Sequence, residues 1–147
     1  MKVSYTNIEI PLIYTIYCDM GPASDMNVAL FSFGFKHSLP EADTVIDVRF
    51  LPNPYYVPQL SSRTGLDQDV ADYVLDNQTA SDFFQHFESF LLTYIKSHAN
   101  ADRSSISFAV GCTGGRHRSV AVTEKLRKTI EKLGVTVDVS HRDIDKI

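Results

Sequence analysis

Nine consecutive residues, GCTGGRHRS at 111–119, carry the chemical groups that bind a phosphate. Three glycines let the backbone curl with its N–H groups pointing inward and allow a ligand to approach closely. Two hydroxyls and three basic side chains accompany them, and an arginine can hold a phosphate through two parallel hydrogen bonds. The residues that we expect at the ligand are Thr113, Gly114, Gly115, Arg116, His117, Arg118 and Ser119.

The neighbouring segments predict how this loop is held. Ile106–Val110 is an apolar, β-branched run typical of a buried strand, and Ser119–Leu133 has the pattern of a helix, with Gly134 where a C-terminal cap belongs. A loop between a strand and a helix places the ligand at the helix N-terminus, where free N–H groups and the helix dipole favour an anion.

The rest of the chain predicts a single Rossmann-like α/β domain, with a mainly parallel sheet and helices on both faces. Further strands are expected at 28–31, 44–49 and 135–139, and a short helix at 66–75. A longer helix, capped by Thr79 or Ser81, carries a phenylalanine stripe that belongs to the core. We place this domain at residues 27–147, and residues 1–26 are an extension, either a strand or loosely packed.

One alternative for the loop is enzymatic. Cys112, five residues, Arg118 and Ser119 reproduce the Cys-x5-Arg-Ser/Thr spacing of cysteine-dependent phosphatases, in which a thiolate attacks phosphorus. Gly111 stands where those enzymes usually carry a histidine, and no aspartate can be assigned from the sequence as the general acid. Cys112 and Arg118 are the catalytic residues that this alternative requires.

Several blocks of the sequence, in a fixed order, resemble the C-terminal domain of the RapZ family of RNase adapter proteins. They are SFGFKH at 32–37, DVRFLPNPY at 47–55, TGLD at 64–67, VADYVL at 70–75, GCTGGRHRS at 111–119 and HRD at 141–143. The resemblance implies a fold similar to the sugar-phosphate-binding subdomain of phosphofructokinase. It also implies a non-enzymatic role in sensing glucosamine 6-phosphate and in presenting a small RNA to an endoribonuclease.

By motif position, the resemblance assigns ligand binding to His37, Thr113, Gly114 and Arg118, of which the loop chemistry nominates the last three independently. The sequence also departs from the family pattern. It contains no G-x-x-x-x-G-K-[ST] motif, so nucleotide hydrolysis by a P-loop is not expected. Ser38 stands where the family commonly has glycine, and the basic extension of RNA-binding members is missing, which weakens the RNA expectation.

Other polar residues have two interpretations each. Asp47 and Arg49 either line the pocket or pair with each other, and Asn53, between two prolines, either contacts a ligand or shapes a turn. A basic face near the C-terminus either contacts an RNA backbone or is simply solvated. Its residues are Lys125, Lys128, Lys132, His141 and Arg142.

The composition limits the possible functions. The net charge is −4, yet residues 101–147 carry 9 Lys/Arg against 6 Asp/Glu, whereas residues 1–100 carry 5 against 12. A general nucleic-acid coat is therefore excluded, and an anion site in the last third is favoured. Two distant cysteines, Cys18 and Cys112, predict reduced thiols in the cytoplasm. We expect no metal, cofactor or membrane span, and a homo-oligomer wherever RNA is bound.

Overall fold

The structure is a computed structural model that describes residues 25–147. Residues 1–24 of the predicted extension at 1–26, including Cys18, lie outside this range. Four strands and three α-helices follow in chain order: β1 (Asn27–Gly34), β2 (Thr44–Asp47), α1 (Gln68–Leu75), α2 (Gln78–Asn100), β3 (Ser105–Cys112), α3 (Arg118–Glu131) and β4 (Thr136–His141). A single 3-10 turn, Pro54–Tyr56, follows β2.

The four strands form one parallel sheet in the order β2-β3-β1-β4, which confirms the predicted Rossmann-like α/β fold. The central pair is β1 and β3, with Gly34 opposite Cys112 and Asn27 opposite Ser105. Because these strands are parallel and in register, they end together at one edge of the sheet. The loop at 111–119 leaves the sheet at that edge.

One face of the sheet builds the hydrophobic core. Val28 and Leu30 of β1 and Ile106 and Phe108 of β3 are at most 1% exposed and belong to the same cluster as residues of all three helices. Tyr94 of α2 packs edge-on against Phe108, with ring centroids 5.9 Å apart. Burial of these side chains supplies the main stabilisation of the sheet against the helices.

The three helices within residues 25–147 all pack on this face, whereas the sequence predicted helices on both. A nine-residue crossover without a helix, residues 35–43, joins β1 to β2. Its last residue, Asp43, accepts hydrogen bonds from the N–H of Ser107 at 2.8 Å and from the Ser107 hydroxyl at 3.1 Å. Ser107 alternates with Phe108, so this contact lies on the face opposite the helices.

The helix ends depart slightly from the sequence predictions. Helix α2 is capped by Asn77, whose side-chain oxygen accepts the Ala80 N–H at 3.0 Å, and neither Thr79 nor Ser81 is the cap. Asparagine is among the preferred N-caps, and the helix gains an extra half-turn by starting there. Gly134, three residues after the last residue of α3, has a φ of 73°, the positive value expected of a glycine that ends a helix.

Candidate functional site

The loop at 111–119 packs backbone against backbone on the end of β1. Gly115 has a φ of 76°, and a Cβ added there would lie 2.5 Å from the Gly34 nitrogen. A Cβ added to Gly34 would lie 2.5 Å from the Gly114 carbonyl carbon. The Lys36 N–H also donates to the Thr113 carbonyl at 3.1 Å. Only glycine fits this approach, and the loop is thereby held in one shape.

Arg118, the first residue of α3, is a buried cation without an ion pair in the described part of the chain. Its side chain is 6% exposed, and one terminal nitrogen donates to the carbonyls of Arg49 at 2.7 Å and Leu51 at 3.3 Å. The other terminal nitrogen donates to Thr113 Oγ1 at 3.4 Å, and Nε is buried without a partner. Arg118 is near enough to Asp47 to contribute to the lowered pKa of that carboxyl, but it forms no ion pair with it. A buried charge without an ion pair is costly, so an anion at this place is favoured.

The N-terminus of α3 adds to this preference for an anion. His117 occupies the N-cap position but makes no side-chain capping bond, and the first turn contains no acidic residue. The first N–H groups of a helix have no partner within the helix, and the dipole gives them a partial positive charge. The 14-residue helix α3 thus begins with donors that no side-chain cap occupies.

Cys112 and Ser119 support the loop from below. Cys112 is a free thiol, 3% exposed, whose sulfur accepts the Gly115 N–H at 3.3 Å and donates to the Ser119 hydroxyl at 3.1 Å. Ser119 is fully buried. Their side chains therefore connect the two ends of the loop, and Ser119 is placed beneath the cavity, not on its wall.

Arg116 and His117 fasten a neighbouring segment, residues 61–63. Arg116 donates through Nε to the Arg63 carbonyl at 3.1 Å and through a terminal nitrogen to the Ser62 carbonyl at 2.8 Å. His117 is 8% exposed, and its Nε2 lies 3.2 Å from the Ser61 carbonyl. Burial lowers the pKa of His117, so the ring is neutral and Nε2–H is the donor.

These elements enclose a cavity of about 520 Å³ at the carboxyl edge of the sheet. Its wall is formed by Lys36, Asn53, Tyr55, Tyr56, Ser61, Ser62, Cys112, Thr113, Gly114, Arg116, His117, Arg118, Lys146 and Ile147. Four of these side chains are lysine or arginine, and none is aspartate or glutamate. The wall is therefore strongly cationic, with no carboxylate side chain to compete with an anionic ligand.

Several residues of this wall were not predicted from the sequence, namely Lys36, Tyr55, Tyr56, Ser61, Ser62, Lys146 and Ile147. For the two tyrosines, the two flanking prolines at 54 and 58 were a usable signal of a rigid loop. Lys146 is brought in by Asp143, which is fully buried and accepts from Lys146 at 2.7 Å and from the Gly34 N–H at 2.8 Å. No short-range pattern in the sequence predicts this contact.

Asp143 connects the segment after β4 to the end of β1, because it accepts hydrogen bonds from both Lys146 and Gly34. Burial opposes its ionisation, but the hydrogen bonds from Arg142, Gly34 and Lys146 outweigh burial and hold the pKa of Asp143 well below its usual range. Gly34 in turn contacts Gly114 and Gly115. Asp143 therefore supports both the phosphate loop and the lysine on the cavity wall.

His37 and the Asp47–Arg49 pair lie outside the cavity wall. His37 follows β1 in a turn closed by its N–H on the Gly34 carbonyl, and its Nε2 is buried without a partner. Asp47 and Arg49 form an ion pair at 2.6 Å, which lowers the pKa of Asp47, and the Arg49 guanidinium lies over the Phe35 ring. The paired interpretation is the one that the structure shows. Asn53 lines the cavity and also caps the 3-10 turn by accepting the Tyr55 N–H at 3.2 Å.

The predicted basic face is divided between two environments. Lys125 pairs with Glu88 at 3.5 Å, and Lys125 and Lys132 line a hollow of about 770 Å³ between α2 and α3. Lys128 is exposed.

His141 and Arg142 have structural partners. His141 bridges Ser32, at 2.8 Å, and Glu124, at 3.0 Å. Arg142 pairs with Asp143 at 2.7 Å. Both side chains hold β4 in place, and their polar groups already have hydrogen-bond or ion-pair partners within the protein.

Within residues 25–147 there is no cluster of three or more His, Cys, Asp or Glu side chains that could hold a metal ion. No helix in the same range is long and apolar enough to cross a membrane. The donors of the cavity are N–H groups, hydroxyls, arginines and lysines. Such donors suit an anion and not a metal cation.

Fold and site define a parallel α/β domain with a cationic, glycine-rich cavity at the carboxyl edge of its sheet. Residues 26–145 match the family described as the RapZ C-terminal domain, and the chain belongs to that family.

Similar curated proteins include nucleotide-binding proteins of three bacteria. The protein of Bifidobacterium adolescentis is 48% identical over 127 residues, which are 86% of this chain and 41% of that protein. That of Limosilactobacillus reuteri is 45% identical over 127 residues, covering 86% and 44%, respectively. That of Caldicellulosiruptor bescii is 43% identical over 135 residues, covering 91% and 46%. The chain thus spans less than half the length of these relatives.

Proposed function

We propose that this domain is a regulatory module that binds a phosphorylated amino sugar, such as glucosamine 6-phosphate, through the loop at 111–119. The observation that carries the proposal is Arg118, which is buried, has no carboxylate partner among residues 25–147 and lies at the start of α3. A phosphate placed there receives charge from Arg118 and hydrogen bonds from the loop and the first turn of α3. The family assignment supports the regulatory role.

In this proposal the residues have different tasks. Thr113 and Gly114, on the cavity wall, contact the phosphate with Arg118. Arg116 and His117 hold the segment at 61–63, and Ser119 and Cys112 brace the loop. The ammonium group of an amino sugar meets hydroxyl and amide oxygens, since the wall has no carboxylate side chain. The phosphate therefore supplies most of the affinity.

Calorimetric titration with glucosamine 6-phosphate, compared with glucosamine and inorganic phosphate, tests the proposal. We expect heat with the sugar phosphate, weaker binding of phosphate and none of glucosamine. Thr113→Ala is a suitable variant because Thr113 is exposed, so its loss leaves the core intact. Absence of binding to any sugar phosphate by the folded protein would overturn the proposal.

RNA binding, for presentation to an endoribonuclease, is a second proposal that comes from the family. The observation that favours it is the exposed Lys128 on α3, next to Lys132 on the hollow between α2 and α3. Phosphate contacts need only accessible cations, but so few give weak binding at physiological salt, so we propose a homo-oligomer. A gel shift at low salt with the Lys128→Glu, Lys132→Glu variant tests this. Binding that is unchanged in the variant rejects this surface.

The phosphatase alternative is favoured by one contact and opposed by another feature. Cys112 is among the residues that line the cavity, and its sulfur accepts the Gly115 N–H, as a nucleophilic thiolate in such a loop would. However, the wall has no aspartate or glutamate side chain to protonate a leaving group. We therefore expect no turnover of an aryl phosphate. Turnover that disappears in Cys112→Ser would establish the enzyme instead.

A further inference from the structure

Two exposed aromatic side chains lie on the same cavity wall as the phosphate loop. Tyr55 and Tyr56 are 66% and 80% exposed, and their rings meet edge to face with centroids 5.5 Å apart. Single exposed aromatics are common on protein surfaces, but an adjacent pair beside a cationic cavity is not explained by packing. These rings contribute little to the hydrophobic core.

The segment that carries the tyrosines is locally rigid. Pro54 is buried at the start of the 3-10 turn, and Asn53 caps it. The turn is closed by the Val57 N–H, which donates to the Pro54 carbonyl at 3.0 Å. Proline fixes the backbone before the rings, so little conformational entropy is lost when a ligand contacts them.

The cavity combines four lysine and arginine side chains with a large volume. Lys36, Arg116 and Arg118 form no ion pair within residues 25–147, and Lys146 is the only cation of the wall that does. The volume, about 520 Å³, is in the range of sites that bind ligands larger than a monosaccharide. A cationic groove beside exposed aromatic rings is the arrangement that proteins use for nucleotides in single-stranded form.

We infer that the cavity accepts a nucleoside phosphate, with the phosphate on the loop at 111–119 and the base stacked on Tyr55 or Tyr56. The inference rests on the proposed phosphate site and adds a second class of phosphorylated ligand for it. A flat base covers an aromatic ring, which a sugar phosphate held only by the loop leaves in water. The same chemistry comes from a free mononucleotide or from one unit of a single-stranded RNA.

Calorimetric comparison of AMP with ribose 5-phosphate tests the inference, because the two ligands differ only by the base. We expect AMP to bind at least about 5-fold more tightly, the lower end of what base stacking contributes. The Tyr55→Ala, Tyr56→Ala double variant should bring the two affinities together. The double phenylalanine variant should keep the difference, because it retains the rings.

Tyr73→Ala is the matched control, since Tyr73 is 41% exposed on α1 but is not on the cavity wall. It should leave the ratio of the AMP and ribose 5-phosphate affinities unchanged. Equal affinities in the wild type, or a ratio unaffected by the double alanine variant, would overturn the inference. If ribose 5-phosphate and glucosamine 6-phosphate bind but AMP binds no more tightly than ribose 5-phosphate, only the proposed base site is wrong. If no phosphate ligand binds, the proposed function fails with it.

A short single-stranded oligouridylate, compared with UMP, distinguishes the two sources of the ligand. Affinity at least tenfold above that of UMP, lost in the double alanine variant, assigns the cavity to RNA. An affinity no higher than that of UMP assigns it to a free nucleotide. Oligouridylate and UMP binding that are both insensitive to the double alanine variant would contradict the role of the tyrosines.

Discussion

The contact between Gly34 and the phosphate loop predicts that Gly34→Ala damages binding from a position outside the cavity wall. The added methyl group would lie 2.5 Å from the Gly114 carbonyl carbon and 2.8 Å from the Gly115 nitrogen. Both are backbone atoms, so relief requires the strand end and the loop to move apart. Such overpacking costs about 1–3 kcal/mol, offset by about 0.5 kcal/mol from the less flexible unfolded chain.

The expected decrease in melting temperature follows from the net loss of stability, which is the overpacking cost minus the gain from the less flexible unfolded chain. A net cost of about 0.5–2.5 kcal/mol corresponds to about 2–8 °C for a domain of this size. Differential scanning calorimetry measures this, and titration with glucosamine 6-phosphate should show at least about a tenfold loss of affinity, because a shift of the loop misplaces its N–H groups. Wild-type affinity in a folded Gly34→Ala protein would refute the reasoning that the loop is held by this contact.

Gly114→Ala is the matched comparison within the same loop. Its methyl group would meet only the end of the flexible Lys36 side chain, at 3.9 Å, and its backbone does not require glycine. We expect the wild-type melting temperature within about 2 °C, because no clash forms. The methyl group would narrow the cavity, so ligand binding should still weaken. A large loss of stability in Gly114→Ala would contradict the geometry.

The remaining predictions concern stability and the roles of the two loop arginines. Since the pKa of Asp143 is lowered in the folded protein, its ionised side chain stabilises the folded state above about pH 4. This stabilisation is lost on further acidification. Urea unfolding should therefore show a smaller loss of stability below about pH 4 in Asp143→Asn than in the wild type, and an unchanged slope would contradict this role of Asp143. Ser38 has a φ of 154°, which is unfavourable for residues other than glycine, so Ser38→Gly should raise stability by about 1 kcal/mol in the same assay. Arg116→Ala should weaken sugar-phosphate binding less than Arg118→Ala, because Arg116 is only half-buried, whereas Arg118 is buried and its Nε has no partner among the described residues. Equal losses in calorimetry would assign Arg116 a direct contact.

The sequence predicted the elements that follow from local pattern. The apolar runs of β1 and β3 and the amphipathic α3 with Gly134 are set by periodicity and turn chemistry, and the structure confirms them. Asn77 was missed as the cap of α2 because Thr79 and Ser81, directly before and after Ala80, are residue types that also cap helices well. Only the tertiary position of the helix decides among such neighbours.

The site was predictable only where consecutive residues build it. The loop at 111–119 is local, so its chemistry was visible, but the tasks of Arg116 and His117 depend on residues more than 50 positions earlier. His37, which motif position assigns to the ligand, is not among the residues of the cavity wall, and its role stays a prediction. The alternation of Asp47 and Arg49 permitted two interpretations, and only the structure shows the ion pair.

The most direct test of the account is the affinity of glucosamine 6-phosphate for the Arg118→Ala and Arg118→Lys variants, with folding checked by thermal unfolding. A hydrogen bond to a charged group contributes about 1.5–3 kcal/mol, so the account predicts a loss of about 10- to 150-fold in Arg118→Ala. Arg118→Lys keeps the charge but loses the fork of donors, and it should recover only part of the affinity. Wild-type affinity in folded Arg118→Ala would contradict the claim that this buried arginine holds the phosphate.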